Sequence, residues 1–432
     1  MTAQNDFVFT NQKLKSVTIP FKLVNNLIII KVKINNIPLN LILDTGIKQT
    51  LLLNLKDKNT DKYQNLKKTR FVGTGNEKKS IQAVKTINNS IKLSDLIISK
   101  NANLYYITNE NFNFSETLGI PVYGFIGGDL LNNFVVKIDY SRKKIKFYSQ
   151  ADFNYKKIRH YHKIPIKLSS NKPFIQTKIK FGKKSEEIPV KLLIDTGNSD
   201  ALWLFENGNL KLPKKIKYIK DYFGLGFNGE IQGKRIKLYD LKLSKKIKFR
   251  DVYTALPDSI YFIDLIRKNK FDGIIGSEIL NRFKLILDYK NKAIYLKKNW
   301  WKYHNEFLFN DSGMNLVYAG KIPVKVRKTI TQFDENANFN NKNTVVASTE
   351  IIYEYKFVDR IIINYIRPDS PAYKAGFMVG DVLLSINGNS VYNYKLNELE
   401  KKFFYKTGKI LKFVIIRKGI ELELKLENKK QL

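Results

Sequence analysis

Short apolar runs of strand length alternate with polar turns along most of the chain. The clearest runs are rich in β-branched and aromatic residues and cover 27–34, 138–147 and 285–296. Runs of this length and composition predict β-strands. Two segments that begin with serine, Ser115–Thr117 and Ser277–Asn281, are suited to begin or carry short helices. The pattern therefore predicts a mostly β fold.

One order of motifs occurs twice before residue 300. Leu41-Ile42-Leu43-Asp44-Thr45-Gly46 returns as Leu192-Leu193-Ile194-Asp195-Thr196-Gly197. A Gly-x-Gly segment follows each Asp after the same 29 to 31 residues, at Gly73–Gly75 and at Gly224–Gly226. Two later pairs keep the order, namely Phe125-Ile126-Gly127 with Ile274-Ile275-Gly276, and Asp139-Tyr140 with Asp288-Tyr289. Such repetition indicates two homologous lobes, over about 15–150 and 160–298.

Composition restricts the chemistry that the chain can carry. The sequence contains no cysteine and three histidines. It therefore offers no disulfide, no thiolate metal ligand and no cysteine nucleophile. Three histidines are also little material for a His-based metal site or a Ser-His-Asp triad. If the chain is an enzyme, its acid–base chemistry rests mainly on carboxylates, and we expect no metal and no other cofactor.

The net charge is strongly positive. Lys and Arg number 76 against 39 Asp and Glu, which gives +37. Nucleic acid, anionic lipid or acidic substrates could each match such a charge. However, 65 of the 76 basic residues are lysines, and they are spread along the whole chain. Since phosphate and base recognition favours the arginine fork, we expect no dedicated nucleic-acid binding.

Hydropathy gives no indication of a membrane span. No apolar run reaches the roughly 18 residues that a spanning helix needs, so we expect no transmembrane segment. Strand-like sequence follows Met1–Gln4 at once, without a charged and apolar leader. Two alternatives remain at this point, a cytoplasmic protein or one from which a signal peptide was removed.

An Asp-Thr-Gly segment at the end of an apolar strand suits carboxylate chemistry. The glycine allows close backbone approach, and neighbouring N–H groups can support the carboxylate. Two lobes related by a pseudo-twofold axis would bring Asp44 and Asp195 together on that axis. Two carboxylates about 3 Å apart cannot both ionise, so the pair would share one proton. The ionised member could then activate a water while the protonated member polarises a carbonyl.

These motifs resemble those of aspartic proteases of the pepsin and retropepsin clan. The segment Asp195-Thr-Gly-Asn-Ser-Asp-Ala-Leu-Trp203 is especially similar to pepsins. The resemblance implies peptide-bond hydrolysis by water, with Asp44 and Asp195 as the catalytic dyad. It implies that Thr45 and Thr196 cross-brace the lobes, beside Gly46 and Gly197. It also places flap hairpins at Gly73, Gly75, Gly224 and Gly226, and two flaps suggest a retropepsin-like pseudo-dimer.

Two features depart from the family pattern. Ile47-Lys48 follows the first motif where the family usually has a small or hydroxyl residue and then a polar one. Lys48 could favour the ionised form of Asp44 or bind an acidic substrate group, and the positive field of the lobes should lower the pKa values of the dyad. Neither flap carries the family's tyrosine, and Phe71 and Phe223 are the nearest aromatics. The alternative function is therefore a catalytically weak or inactive protease-like peptide-binding protein.

The sequence after Trp300-Trp301 follows a different pattern. Ser370 to Gly376 is suited to a short helix with a serine N-cap, a first-turn proline and a glycine C-cap. Val379–Gly388 predicts a turn, a buried strand and an Asn-Gly hairpin turn. Leu396 and Leu399 begin a helically spaced set, and 411–426 predicts a hairpin around Lys418-Gly419. This order resembles a PDZ domain of the bacterial envelope-protease type, over 350–428.

The PDZ resemblance implies peptide binding by addition to a sheet edge. Ser312-Gly313-Met314 is the candidate for the loop that captures a peptide carboxylate, with Gly313 and Met314 as the peptide-binding residues. On that assignment the domain covers 303–432 and contains an Asn-rich insertion near 328–348. The similarity to envelope proteases favours an exported, periplasmic or cell-envelope protein, if a signal peptide was removed.

Together the patterns and resemblances predict a mostly β protein with three domains. Residues 1–150 and 151–302 form two homologous retropepsin-like β-barrel lobes of a pseudo-dimer, and 303–432 forms a C-terminal α+β PDZ domain. The predicted function is aspartic endopeptidase activity on peptides or unfolded proteins, with the PDZ domain recruiting C-termini.

Overall fold

The computed structural model describes residues 6–53, 55, 67–71, 81–107, 114–206, 210–226, 229–258, 262, 270–334, 346–404 and 407–432. The chain divides into two compact units. Unit 1 comprises Met1–Asp311 together with Lys429–Leu432, and unit 2 comprises Ser312–Asn428.

The described residues of the first half of unit 1 form twelve strands and two short α-helices. The strands are β1 (Val8–Phe9), β2 (Ser16–Pro20), β3 (Lys22–Val24), β4 (Leu27–Ile34), β5 (Ile37–Leu43), β6 (Leu51–Leu53), β7 (Lys67–Phe71), β8 (Ile81–Leu93), β9 (Ile97–Ile107), β10 (Gly124–Ile126), β11 (Val135–Asp139) and β12 (Lys144–Tyr148). The helices are α1 (Phe114–Leu118) and α2 (Gly128–Leu131).

The second half repeats this order after a 3₁₀ turn at Tyr155–Ile158. Its strands are β13 (His162–Pro165), β14 (Lys167–Ser169), β15 (Lys172–Lys180), β16 (Ile188–Ile194), β17 (Leu202–Leu204), β18 (Tyr218–Gly226), β19 (Gly229–Ser244), β20 (Ile247–Pro257), β21 (Gly273–Ile275), β22 (Phe283–Asp288) and β23 (Ala293–Lys298). Its helices are α3 (Ser277–Leu280) and α4 (Trp300–Tyr303).

Each half closes a ring of strands. In the first half β4, β5, β10, β6, β9 and β8 pair in turn, and β8 returns to β4. In the second half β15, β16, β21, β17, β20 and β19 pair in the same senses, and β19 returns to β15. Closure pairs the backbone groups that an open sheet leaves at its edges.

A third sheet joins the two halves. Its strand order is β13-β23-β22-β11-β12-β2, with β22 and β11 antiparallel at its centre. Val135 faces Asp288 and Asp139 faces Lys284 in this central pair. Each half contributes three strands, so the sheet is built symmetrically about the β11–β22 pair.

Local sequence explains the hairpins of the barrels. Two-residue loops join β3 to β4 and β4 to β5 through Asn25-Asn26 and Asn35-Asn36, all at positive φ. Asparagine tolerates this left-handed conformation, and such loops match the twist of paired strands. In β4 the side chains of Ile28, Ile30, Val32 and Ile34 are buried while Lys31 and Lys33 are exposed. This alternation places the apolar face of the strand in the core.

The described residues of unit 2 form one sheet and two short α-helices. Its strands are β24 (Met314–Asp334), β25 (Val346–Ile366), β26 (Val382–Ile386), β27 (Asn389–Ser390), β28 (Ile410–Arg417) and β29 (Ile420–Glu427), in the order β24-β25-β26-β28-β29, with β27 paired to β26. The helices are α5 (Pro371–Lys374) and α6 (Leu396–Leu399); a 3₁₀ turn covers Val391–Asn393, and a π-helical turn at Glu400–Phe404 follows α6. Their core includes Met314, Ile363, Leu383, Leu399 and Phe413.

The mostly β prediction is confirmed, and so are the β-barrel lobes. The serine-led segments form α1 and α3 as expected. Ser370 caps α5 by accepting the N–H of Tyr373 at 3.3 Å, and Gly376 follows with a φ of +81°. Residues 328–334 and 346–348 belong to a long antiparallel pairing, since β24 pairs with β25 from Met314–Ile366 to Asp334–Val346. The Asn-rich part of the predicted insertion, 335–345, lies outside the described residues.

Candidate active site

The two predicted aspartates follow corresponding strands. Asp44 comes directly after β5, which pairs in parallel with β10, and Asp195 comes directly after β16, which pairs in parallel with β21. The N–H of Asp44 donates to the carbonyl of Ile126 at 2.9 Å, and that of Asp195 donates to the carbonyl of Ile275 at 2.9 Å. The apolar-apolar-Gly segments therefore fix the backbone of both aspartates.

The two threonines cross-link the two loops. The Thr196 hydroxyl accepts the N–H of Thr45 at 3.1 Å and donates to the carbonyl of Leu43 at 2.7 Å. Reciprocally, the Thr45 hydroxyl accepts the N–H of Thr196 at 3.0 Å and donates to the carbonyl of Ile194 at 2.6 Å. Both threonines are fully buried. These four hydrogen bonds hold the strand ends of the two barrels together.

The two glycines let the carboxyl groups approach. The N–H of Gly46 donates to Oδ1 of Asp44 at 2.6 Å, and the N–H of Gly197 donates to Oδ1 of Asp195 at 2.8 Å. A Cβ on Gly46 would lie 2.6 Å from Oδ2 of Asp195, and one on Gly197 would lie 2.8 Å from Oδ1 of Asp44. Each glycine thus lies against the carboxyl group of the other motif, and any larger residue would displace it.

Burial dominates the electrostatics of the pair. Desolvation raises the pKa of Asp44 well above its usual value, and the charge of Asp195 and the hydrogen bond between the two carboxyl groups raise it further. Desolvation also raises the pKa of Asp195. The expectation that the positive field lowers these pKa values is therefore wrong in its net direction, because the loss of hydration outweighs the attraction of Lys172.

The sequence reasoning missed the lysine that acts on the dyad. Lys172 begins β15, and its charge lowers the pKa of both Asp44 and Asp195. Alignment of the two halves pairs it with Leu27, the first residue of β4. A lysine in one half at a position where the other half has a leucine is a sequence signal that could have identified Lys172. Proximity to Asp44 in the sequence had instead pointed to Lys48.

The charges of the dyad also affect the pKa of a buried tyrosine. Tyr289 is 3% exposed, and burial raises its pKa first, followed by the charges of Asp44 and Asp195. Its phenol therefore stays protonated. Tyr289 belongs to the repeated Asp-Tyr motif, to which no role was assigned from sequence.

The predicted flaps are only partly described. Gly73 and Gly75 lie outside the described residues. Gly224 and Gly226 end β18, which pairs with β19 as a hairpin from Tyr218–Ile236 to Gly226–Gly229. A hairpin therefore lies where the second flap was predicted, and its role as a flap stays a prediction.

A buried arginine ties this hairpin to the loop after Asp195. Arg235 of β19 is 8% exposed, and its Nε lies 2.6 Å from Oδ2 of Asp221 in β18. Its Nη2 lies 3.5 Å from Oδ2 of Asp200, which also accepts the indole N–H of Trp203 at 2.7 Å. The guanidinium group stacks 4.8 Å from the ring of Phe223. Sequence reasoning missed Arg235, because its partners are distant in sequence.

The predicted PDZ loop precedes the edge strand β24. Gly313 has a φ of +78°, and its carbonyl accepts the N–H of Arg367 at 2.8 Å. Met314 is the first residue of β24 and is fully buried, and its N–H donates to the Ser312 hydroxyl at 3.2 Å. The Tyr318 hydroxyl hydrogen-bonds to the backbone of Leu396 at the start of α6. The loop, the edge strand and the helix therefore lie together, while peptide binding by Gly313 and Met314 stays a prediction.

The Gly-Asp segment of the PDZ pattern has a structural role. Asp381 is 1% exposed and forms a bidentate pair with Arg417, with Nε–Oδ1 and Nη2–Oδ2 distances of 2.7 Å each. It also accepts the N–H of Met378 at 2.9 Å. The motif thus fixes the turn before β26.

The chain is similar to known proteins in two comparisons. The family model described as PDZ domain matches residues 362–401, so the chain contains a PDZ domain. Among solved structures, an aspartic proteinase from Irpex lacteus is 13% identical, with a TM-score of 0.40; the match covers 66% of this chain and 97% of that one. No curated protein matches the chain.

Within the described ranges, no group of three or more His, Asp or Glu side chains is placed to hold a metal ion. No helix in the described part of the chain is long and apolar enough to cross a membrane.

Proposed function

We propose that the protein is an aspartic endopeptidase. The observation that carries this proposal is the buried pair Asp44 and Asp195, whose pKa values are raised and whose carboxyl groups share a hydrogen bond. A pair of this kind holds one proton between its members over a wide pH range and titrates as a unit. It then offers a general base and a general acid at one point, which hydrolysis of an amide requires.

The proposed mechanism consumes one water molecule for each peptide bond that is broken. The ionised carboxylate takes a proton from water as the water oxygen attacks the peptide carbonyl, and the protonated carboxyl group donates its proton to the carbonyl oxygen. The resulting gem-diol collapses when the carboxyl group that took the water proton donates it to the amide nitrogen and the C–N bond breaks. The other carboxylate takes a proton from a gem-diol hydroxyl, which leaves the pair with its single shared proton. The N–H groups of Gly46 and Gly197 hold the carboxylates in place throughout.

The PDZ domain suggests how substrates arrive. PDZ domains bind extended peptides by strand addition, and β24 lies at one edge of the described sheet in unit 2. We propose that C-terminal peptide segments dock along Met314–Tyr318, with the loop at Gly313 at the carboxylate end. Recruitment would raise the local concentration of substrate near the peptidase unit.

Single substitutions in the dyad test the activity. Asp44→Asn and Asp195→Asn should each abolish cleavage of an unstructured peptide library at every pH, whereas Asp95→Asn, at a side chain 87% exposed, should cleave as the wild type does. Persistent cleavage by the purified Asp195→Asn protein would exclude the mechanism.

A pepstatin-type inhibitor separates the proposal from its alternative. Such transition-state mimics bind far more tightly than substrates when the dyad is assembled. Tight binding with turnover supports the endopeptidase. Peptide binding without turnover or inhibitor affinity between pH 3 and pH 8 would instead indicate a catalytically inactive peptide-binding protein.

A further inference from the structure

Two tryptophans of unit 1 lie exposed side by side. Trp300 is 69% and Trp301 is 85% exposed, whereas the third tryptophan of the chain, Trp203, is 8% exposed. Large aromatic side chains normally contribute their area to cores or interfaces, so an exposed adjacent pair indicates a contact surface.

The helix that carries the pair is firmly anchored. Tyr303 of α4 is 8% exposed, its ring lies 5.1 Å from that of Phe249, and its hydroxyl donates to the carbonyl of Lys248 at 3.0 Å. The guanidinium group of Arg282 donates to the carbonyl of Asn305 just beyond the helix. One side of α4 is therefore fixed on the barrel, and the tryptophans extend from the other side.

The surroundings of the pair are basic. Every charged residue in 289–305 is a lysine, namely Lys290, Lys292, Lys297, Lys298 and Lys302. Asn299 donates to the Ser141 hydroxyl at 2.7 Å, which places the Arg142-Lys143 turn beside α4. The acidic residue nearest in sequence, Glu306, is exposed, whereas Asp288 and Asp139 of the joining sheet are buried, and Asp139 pairs with Lys284 at 3.1 Å. The rim of the patch thus matches an anionic partner.

We propose that Trp300 and Trp301 insert into the headgroup region of an anionic lipid bilayer while the surrounding lysines bind its surface. Tryptophan favours the membrane–water interface because its ring is apolar and its N–H is polar. Each basic residue near an anionic surface adds attraction that is strongly screened by salt. A second copy of this chain fits less well, since a twofold contact would place the two basic rims against each other.

The chain supplies its own probe for this proposal. Only Trp300 and Trp301 are exposed among the three tryptophans, so insertion should shift their emission to the blue and shield them from a water-soluble quencher. We expect this with vesicles of equimolar phosphatidylcholine and phosphatidylglycerol at low salt, and not with phosphatidylcholine alone. Single-stranded oligonucleotide should cause no such shift. A shift with oligonucleotide but not with vesicles, or one that follows protein concentration without lipid, would overturn the proposal.

Sedimentation with the same vesicles tests the residues. Trp300→Ser/Trp301→Ser should bind at least about tenfold more weakly, and Lys298→Gln/Lys302→Gln should lose about fivefold per charge at low salt. The matched control Val8→Ser/Leu96→Ser removes two apolar side chains that are 53% and 44% exposed, and it should bind as the wild type does. Emission from the buried Trp203 checks that the tryptophan variant is folded. Equal sedimentation of the folded tryptophan variant and the wild type would refute the proposal, and peptidase activity enters none of these measurements.

Discussion

The threonine cross-link allows a quantitative test of how the two barrels are joined. Thr196→Val keeps the shape of the side chain but removes the hydroxyl. The substitution leaves the buried N–H of Thr45 and the carbonyl of Leu43 without the partner that Thr196 provides at 3.1 and 2.7 Å. An unsatisfied buried group costs about 1–3 kcal/mol, so two groups cost about 2–6 kcal/mol.

Thr196→Ser is the matched control because it keeps the hydroxyl and loses one methyl group, worth about 1 kcal/mol. Urea unfolding followed by tryptophan emission measures the difference, since all three tryptophans lie in unit 1. By the same argument Thr45→Val should resemble Thr196→Val. If the valine variants unfold at the same urea concentration as the serine variants, the hydrogen bonds do not contribute as described.

Three further substitutions test other parts of the molecule. Lys172→Met removes a charge that lowers the pKa of both aspartates, so the pair keeps its shared proton to higher pH. The alkaline limb of the rate–pH profile should therefore move to higher pH, whereas Lys172→Arg should leave it in place. Arg235→Met leaves Asp221 and Asp200 without their buried cation and should lower the stability of unit 1 by about 3–5 kcal/mol in urea unfolding, more than Lys237→Met does. Gly313→Ala places a left-handed residue with its Cβ 2.5 Å from Oγ of Ser370. It should lower the stability of unit 2, measured by amide hydrogen exchange, by about 1–3 kcal/mol. Unchanged protection of the amides would contradict this packing.

Much of the candidate site follows from repetition in the sequence. The Asp-Thr-Gly and apolar-apolar-Gly segments each occur twice, in the same order. The structure brings their residues Asp44, Asp195, Thr45 and Thr196 into contact. Short helices could also be predicted from sequence. Ser370, Pro371 and Gly376 mark the ends of α5 through local interactions, such as the hydrogen bond from the N–H of Tyr373 to the Ser370 hydroxyl. These features depend on residues that are near in sequence or that recur in both halves.

Other features arise only from long-range pairing. Lys172 acts on the dyad because β15 pairs with β16, and Arg235 reaches Asp200 because β19 and the loop after Asp195 belong to one barrel. Trp300 and Trp301 have large aromatic side chains of the kind that usually lies in a core, and yet both are exposed. Alternation along a strand determines which residues share a face, but not what that face meets.

The sequence by itself thus determined the β-rich fold, the two aspartates and the local motifs of the PDZ domain. Tertiary structure decided the sign of the electrostatic effect on the aspartates and the partners of the buried charges. The physical reason is that the cost of removing a charge from water and the attraction of a distant charge both depend on three-dimensional burial and distance, which a count of +37 does not contain.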